Sequence, residues 1–77
     1  MKNYLVRIAM HIDLTDTERV VNCADHGWII DQYSDPSMTA YVAKWIRITT
    51  DSIDTYAEAI RKMSYGDIVV TDWEEEK

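Results

Sequence analysis

Two groups of side chains have the types and spacing that acid–base or metal chemistry needs. His11 and Asp13 project to one side of the first apolar segment, and Asp16 and Glu18 follow them closely. A histidine beside a carboxylate can transfer a proton, and clustered carboxylates can bind a cation. Calcium loops need a denser ligand set and a glycine at the tight turn, and this segment has neither. These residues therefore do not predict a catalytic or cation site.

Cys23 and His26 form the second group, with i,i+3 spacing on a predicted helix. Two ligands do not complete a zinc site, and no CxxC motif or second histidine pair supplies the rest. No phosphate-cradling glycine loop and no serine or cysteine nucleophile with an oriented base is visible in the sequence. We therefore predict a protein that is not an enzyme and that uses no metal and no cofactor. Cys23 is expected to be a small buried side chain.

The composition indicates one small acidic domain. The chain has 77 residues, with 14 acidic and 8 basic side chains and a net charge of −6. Binding to nucleic acid or to an anionic membrane usually needs the opposite sign, so the charge favours a basic protein partner, or serves only solubility. A single cysteine excludes an internal disulfide. Neither a signal peptide nor a membrane-spanning run of roughly 18–20 apolar residues is visible, so a cytoplasmic location is expected.

The hydrophobic periodicity predicts four strands and two helices. Alternating or apolar runs predict strands over residues 3–14, 28–33, 38–49 and 67–73. Amphipathic spacing predicts a helix over residues 16–26 and a second within residues 51–66, where the apolar positions run from Ile53 to Met63. Thr15 and Glu18 have capping-box spacing for the first helix, and Asp51 or Ser52 is expected to cap the second. Residues 34–37 are predicted to form a turn between the second and third strands.

This β-α-β-β-α-β order resembles the ferredoxin-like split βαβ architecture. The resemblance implies an α+β fold in which two helices cover one face of a four-stranded antiparallel sheet, with the first and third strands in the middle. It covers nearly the whole chain, as one domain over residues 1–73 followed by a solvated acidic tail over residues 74–77. The resemblance implies a fold and no particular function, because many functions share it.

The alternation also predicts which side chains the helix-free face of the sheet carries. The more apolar side of the first strand is assigned to the core, with Val6, Ile8, Met10 and Ile12. On the third strand Ile46 and Ile48 are assigned inward, which leaves Tyr41 and Trp45 outward. Lys44 then falls on the inward side, at a bulge or a sheet edge. Exposed aromatic and arginine side chains are typical of binding hot spots. The predicted partner-binding residues are Arg7, Tyr41, Trp45, Arg47 and Trp73.

Three alternatives remain open for this face. The faces could be reversed, which would place Tyr41 and Trp45 in the core. RNA-recognition motifs share the fold and stack bases on aromatic residues of the first and third strands. This chain lacks their glycine-aromatic pattern and an outward aromatic on the first strand, so nucleic acid is not the expected partner. Self-association through the same face, as in homodimeric ligand-sensing subunits, is the third alternative.

Acidic side chains dominate the loops and the C-terminal segment. Carboxylates along a surface can imitate phosphates and occupy the basic groove of a nucleic-acid-binding protein. The residues assigned to this surface are Asp13, Asp16, Glu18, Asp72, Glu74, Glu75 and Glu76. In size and charge the chain resembles the small acidic inhibitors that phages encode against host defences, including anti-CRISPR proteins. The resemblance implies a non-enzymatic inhibitor or regulator that binds a partner's basic surface; the alternative is a merely solvated acidic surface.

Overall fold

The computed structural model describes residues 1–34 and 38–76, and within them the predicted order of elements is confirmed. The strands and helices are β1 (Lys2–Asp13), α1 (Thr17–Asp25), β2 (Ile29–Ser34), β3 (Thr39–Thr50), α2 (Ile53–Met63) and β4 (Ile68–Glu76). The turn predicted between β2 and β3 lies outside the described residues. Neither described helix is long and apolar enough to cross a membrane.

The strands form one four-stranded antiparallel sheet in the order β2-β3-β1-β4. β1 and β3 pair along their whole length, from Lys2 opposite Thr50 to Asp13 opposite Thr39. β2 pairs only with the first part of β3, where Ile29 lies opposite Ala43. The remainder of β3 therefore has β1 on one side and no described strand on the other.

Both helices pack on the same face of this sheet, which we call the inner face. In β1, Tyr4, Val6, Ile8 and Ile12 are buried there, and Met10 is partly buried. Ile53 of α2 packs against Tyr4, and Cys23 of α1 packs against Ile12. The opposite side, the outer face, carries no described helix. The reversed assignment is wrong, because Tyr41 and Trp45 are 46% and 48% exposed.

The helix ends follow local hydrogen bonding. Ser52 caps α2 as predicted, because its hydroxyl accepts the Thr55 N–H at 3.3 Å. The capping box predicted at Thr15 is wrong, because the N-cap of α1 is Asp16, whose carboxylate accepts the Arg19 N–H at 3.2 Å. The Thr15 hydroxyl instead donates to Asp13 at 2.7 Å, so it is not free to cap the helix.

Lys44 lies on the inner face, where the alternation placed it. Its Nζ donates to the His26 carbonyl oxygen at 3.2 Å and lies 4.9 Å from the centre of the Trp28 ring. His26 is the C-cap of α1, so the lysine charge sits at the negative end of that helix. A cation is stabilised there by the carbonyl and by the face of the indole.

The acidic C-terminal segment belongs to the sheet. Residues 74–77 were expected to form a solvated tail, but β4 runs to Glu76 and pairs Glu74, Glu75 and Glu76 with the start of β1. β1 is long enough to supply backbone hydrogen-bonding partners for these residues. Their charge alone does not indicate that they pair with another strand. The domain boundary expected after residue 73 therefore falls inside β4, and Lys77 lies outside the described residues.

Candidate functional site: the outer face of the sheet

Three cross-strand pairs of β1 and β3 build the centre of the outer face. Arg7 lies opposite Trp45, the small residues Ala9 and Ala43 lie opposite each other, and His11 lies opposite Tyr41. Both alanines are buried although no described helix covers them. The pairs on either side carry longer side chains, and we call the two buried alanines the alanine floor of the outer face.

Arg7 connects the outer face across the sheet. One terminal nitrogen, Nη1, donates to the Thr71 hydroxyl of β4 at 2.8 Å, and Nη2 lies 3.0 Å from the Asp31 carboxylate of β2. Its side chain is only 23% exposed. Arg7 therefore lies on the predicted face, but it joins β2 and β4, the two outermost strands of the sheet, instead of projecting freely into solvent.

Tyr41 is held by a neighbouring ring. The His11 and Tyr41 ring centres are 4.7 Å apart with the planes tilted by 32°, and His11 Nε2 forms a 3.2 Å hydrogen bond with the Ser34 hydroxyl. A half-exposed tyrosine that is stacked in this way loses little side-chain entropy when it binds a partner. Tyr41 is therefore suited to act as a preorganised anchor.

Trp45 borders a concavity where β2 begins. The concavity has a volume of about 460 Å³, and Trp45, Ile29 and Asp31 are among the residues that line it. Ile29 is the most exposed of these apolar side chains, at 71%. Neither Ile29 nor Asp31 was among the residues predicted for this site. A signal was present for Asp31, because this carboxylate interrupts the apolar run of β2.

Trp73 does not belong to the outer face, and this part of the prediction is wrong. The β1–β4 register shifts between Arg7 and Ile8, so that Thr71 is an extra residue and Trp73 lies opposite Val6 on the inner face. Its ring meets Tyr4 edge to face, with centres 5.7 Å apart and planes at 84°. The prediction counted a strict alternation from Val69, and the bulge reverses that alternation.

Arg47 lies on the outer face as predicted and pairs with a carboxylate. Its Nε donates to Glu76 Oε1 at 3.1 Å. Arg7 is likewise paired with Asp31. Both arginines of the predicted surface therefore have their charge balanced within the chain, which leaves little free positive charge for a phosphate group.

Three predicted acidic residues share the outer face along β4. Asp72 lies opposite Arg7, Glu74 opposite Leu5 and Glu76 opposite Asn3. We call Asp72, Glu74 and Glu76 the acidic ridge. Alternate strand residues lie roughly 6.6–6.8 Å apart, so the ridge is a regular line of carboxylates beside the aromatic side chains. Glu75 points to the inner face and pairs with Lys2 at 3.5 Å.

The other predicted acidic residues lie near the far end of β1. Asp13 ends that strand, Asp16 caps α1 and Glu18 lies in its first turn. Asp72 is the ridge residue nearest to them and lies opposite Arg7, and the six residue steps of β1 from Arg7 to Asp13 span about 20 Å, so the carboxylates form two separate groups. Hydrogen bonds from the Thr15 hydroxyl and backbone N–H lower the pKa of Asp13. These three carboxylates thus have local structural roles.

In both residue pairs that were considered for acid–base or metal chemistry, side chains form hydrogen bonds with residues outside the pair. His11 bonds Ser34 while Asp13 bonds Thr15, so this histidine and carboxylate have different partners. Cys23 is buried and free, and His26 Nδ1 forms a 2.8 Å hydrogen bond with the Asn22 carbonyl oxygen. Across residues 1–34 and 38–76, no group of three or more histidine, cysteine, aspartate or glutamate side chains is arranged to hold a metal ion.

No protein family, curated protein or solved structure matches this chain.

Proposed function

We propose that this chain is a small, non-enzymatic protein-binding module that acts as an inhibitor or regulator by covering a basic surface of its partner. The observation that carries the proposal is the composition of the outer face. Half-exposed Tyr41 and Trp45 stand on either side of the buried alanine floor, and the acidic ridge runs beside them. Aromatic anchors supply binding energy, and a line of carboxylates steers a basic partner into register.

The fold and charge support the same proposal. The order β2-β3-β1-β4, with both helices on the inner face, fits a ferredoxin-like arrangement. That arrangement leaves one whole sheet face available for a partner. A net charge of −6 on 77 residues suits a phosphate-imitating inhibitor of the kind that phages use against nucleic-acid-binding defence proteins. RNA binding has less support, because both outer-face arginines pair with carboxylates.

Capture of the partner with matched tryptophan variants tests the proposal. Trp45 and Trp73 are equally exposed, at 48%, but they lie on opposite faces of the sheet. Tagged wild type, Trp45→Ala and Trp73→Ala are incubated with bacterial lysate, and the eluates are analysed for protein and nucleic acid. Circular dichroism first establishes that each variant is folded. We expect the wild type to capture one dominant protein. Trp45→Ala should weaken this binding by more than ~2 kcal/mol and so lose the protein, whereas Trp73→Ala should still capture it.

Other results would contradict the proposal in different ways. Nuclease-sensitive nucleic acid in the eluate would favour an RNA- or single-strand-binding module. Recovery of only the untagged chain would favour a homodimer. A partner lost equally with both variants would mean that the outer face is not the binding surface.

A further inference from the structure

The last five described residues of β4 form an open edge of the sheet. β4 is the end strand in the order β2-β3-β1-β4, so no described strand lies on its far side. After the bulge at Thr71, the register with β1 is continuous from Asp72 to Glu76. We call residues 72–76 the β4 edge, whose four residue steps span about 13 Å. A strand edge of this kind presents unpaired N–H and C=O groups to another chain.

One backbone donor of the β4 edge shows where a further strand would bond. The Trp73 N–H donates to the carboxylate of the preceding residue, Asp72, at 2.8 Å. This N–H therefore faces the open side, and the Asp72 carboxylate occupies the place that a carbonyl oxygen of a neighbouring strand would take. Alternate residues of a strand direct their backbone groups to the same side. The N–H and C=O of Glu75 consequently face the open side as well.

The β4 edge carries negative charge that the chain itself does not balance. Four of its five residues are acidic, and none is basic. The last two carboxylates pair with basic side chains of β1 and β3. Asp72 and Glu74 are exposed, and neither forms an ion pair within residues 1–34 and 38–76. These two carboxylates share the outer face and lie two positions apart on the strand that is itself open.

We propose that the β4 edge is the docking site for an extended, basic segment of the partner protein, which pairs antiparallel with β4 as a fifth strand. This inference rests on the proposed function and specifies where basic residues of the partner bind. Residues of the segment opposite Asp72 and Glu74 form non-hydrogen-bonded pairs, in which side chains approach most closely. Opposite charges at such positions stabilise a strand pair, so the segment carries arginine or lysine at both.

The segment residue between the two basic positions lies opposite Trp73, on the inner face. The Trp73 ring meets Tyr4 of β1, so it is directed away from the open side. A small residue at this position leaves the ring as exposed as it is in the free chain. The segment therefore has the pattern basic–small–basic. β3 lies two strand spacings, about 10 Å, from β4, so the same partner can also cover Tyr41 and Trp45 on the outer face.

A second copy of this chain fits the β4 edge less well. Pairing of two β4 edges would place carboxylates opposite carboxylates, which destabilises a strand pair. A second open stretch, residues 44–50 of β3, pairs with β1 on one side and lies beyond the start of β2. Its basic residues, Lys44 and Arg47, are three positions apart and lie on opposite faces, whereas Asp72 and Glu74 share one face. Charge complementarity therefore favours a basic segment of a different protein.

Titration with a defined peptide tests the inference. The probe is a glycine-flanked, end-blocked peptide with the core Thr-Thr-Arg-Ser-Arg, and the control peptide has glutamate in place of both arginines. Amide hydrogen exchange and chemical shifts are followed by NMR on the full chain. We expect the arginine peptide alone to protect the Trp73 and Glu75 amides, which face the open side. The Glu74 amide faces β1, so its protection should not change.

Charge-neutralising variants test the two carboxylates separately. Glu74→Gln and Asp72→Asn should each weaken binding of the arginine peptide about two- to fivefold, because each removes one exposed ion pair. Asp72→Asn keeps an oxygen that can accept the Trp73 N–H, so it changes the charge without removing that acceptor. Glu18→Gln, in the first turn of α1, changes the net charge equally and should leave the affinity unchanged.

Several outcomes would overturn the inference. These are no binding of the arginine peptide at millimolar concentration, equal binding of the glutamate peptide, or protection along residues 44–50 in place of Trp73 and Glu75. Concentration-dependent protection of the Trp73 and Glu75 amides without peptide would show self-association, which also overturns it. If the peptide fails but a partner is captured in a Trp45-dependent manner, the docking mode alone is wrong. If the peptide binds but no Trp45-dependent partner is captured, the proposed function is wrong.

Discussion

Replacement of Trp73 tests the assignment of side chains to the two sheet faces. Trp73 lies on the inner face, where its ring meets Tyr4 edge to face at 5.7 Å. Trp45 is equally exposed but lies on the outer face, opposite Arg7. Alanine substitutions at the two positions remove the same atoms, and at position 73 they also remove the edge-to-face contact with Tyr4.

The expected magnitudes follow from the buried areas. About half of each indole is buried, which is roughly 100 Å² of a tryptophan side chain and corresponds to about 2.5 kcal/mol at ~25 cal/mol per Å². The edge-to-face contact adds about 0.5–1.5 kcal/mol for Trp73 only. We therefore expect Trp73→Ala to lower the free energy of unfolding by about 1 kcal/mol more than Trp45→Ala does. A domain of this size has about 4–12 kcal/mol in total, so Trp45→Ala should fold across this range, and Trp73→Ala, which costs about 3–4 kcal/mol, should fold unless the total lies at its low end.

A double-mutant cycle with Tyr4→Leu isolates the contact. Urea unfolding followed by far-UV circular dichroism should give a coupling energy of about 1 kcal/mol between Tyr4 and Trp73. The same cycle between Tyr4 and Trp45 should give a value near zero, because these side chains lie on opposite faces. Coupling of Tyr4 to Trp45, or none to Trp73, would refute the bulge at Thr71 and the face assignment that depends on it.

Three further predictions concern local contacts. Thr15→Val removes the hydroxyl that lowers the pKa of Asp13, so this pKa should rise toward its ordinary value of 3.8 in an NMR titration. Because the pKa of Asp13 is depressed in the folded state, its stabilising effect is present above that ordinary value and is lost as the pH falls through the folded pKa. Lys44→Met should lower the free energy of unfolding by about 1 kcal/mol in urea, because it removes the ammonium that contacts His26 and Trp28 but keeps the apolar stem. Gly66→Ala should lower the melting temperature, because Gly66 has a φ of 84°, where a residue with a Cβ pays a backbone cost of about 1–2 kcal/mol. An added Cβ meets no atom within 4 Å, so no steric clash contributes to this cost.

The sequence predicts the order of elements and the outward placement of Tyr41 and Trp45, because strand alternation is a local property of the chain. Bulges depend on how two strands pair, so alternation alone cannot reveal them. The bulge in β4 turned Trp73 to the inner face. A second bulge, in β2, lies where Asp31 meets Arg7. Both contacts join residues that are distant in sequence.

The acidic residues illustrate a related limit. Their charge indicates exposure, and exposure alone does not distinguish a tail from a strand. Glu74 is exposed in the structure, yet it belongs to β4 because Leu5 lies opposite it. Asp16 and Glu18 were predicted both to lie at the start of a helix and to belong to an acidic surface. In the structure Asp16 is the N-cap of α1 and Glu18 lies in its first turn, and both residues are exposed. The structural role of each acidic residue depends on whether a strand lies opposite it and on how close it is to the end of a helix.

Fluorine NMR of the chain in complex with its captured partner tests the central claim most directly. The three tryptophans, Trp28, Trp45 and Trp73, are replaced by 5-fluorotryptophan and assigned by single substitution. If the outer face binds the partner, the Trp45 resonance should shift and lose its solvent-induced isotope effect, while the Trp73 resonance should keep its isotope effect. Loss of solvent exposure at Trp73 with Trp45 unchanged would contradict the account and place the partner on the inner side of the sheet.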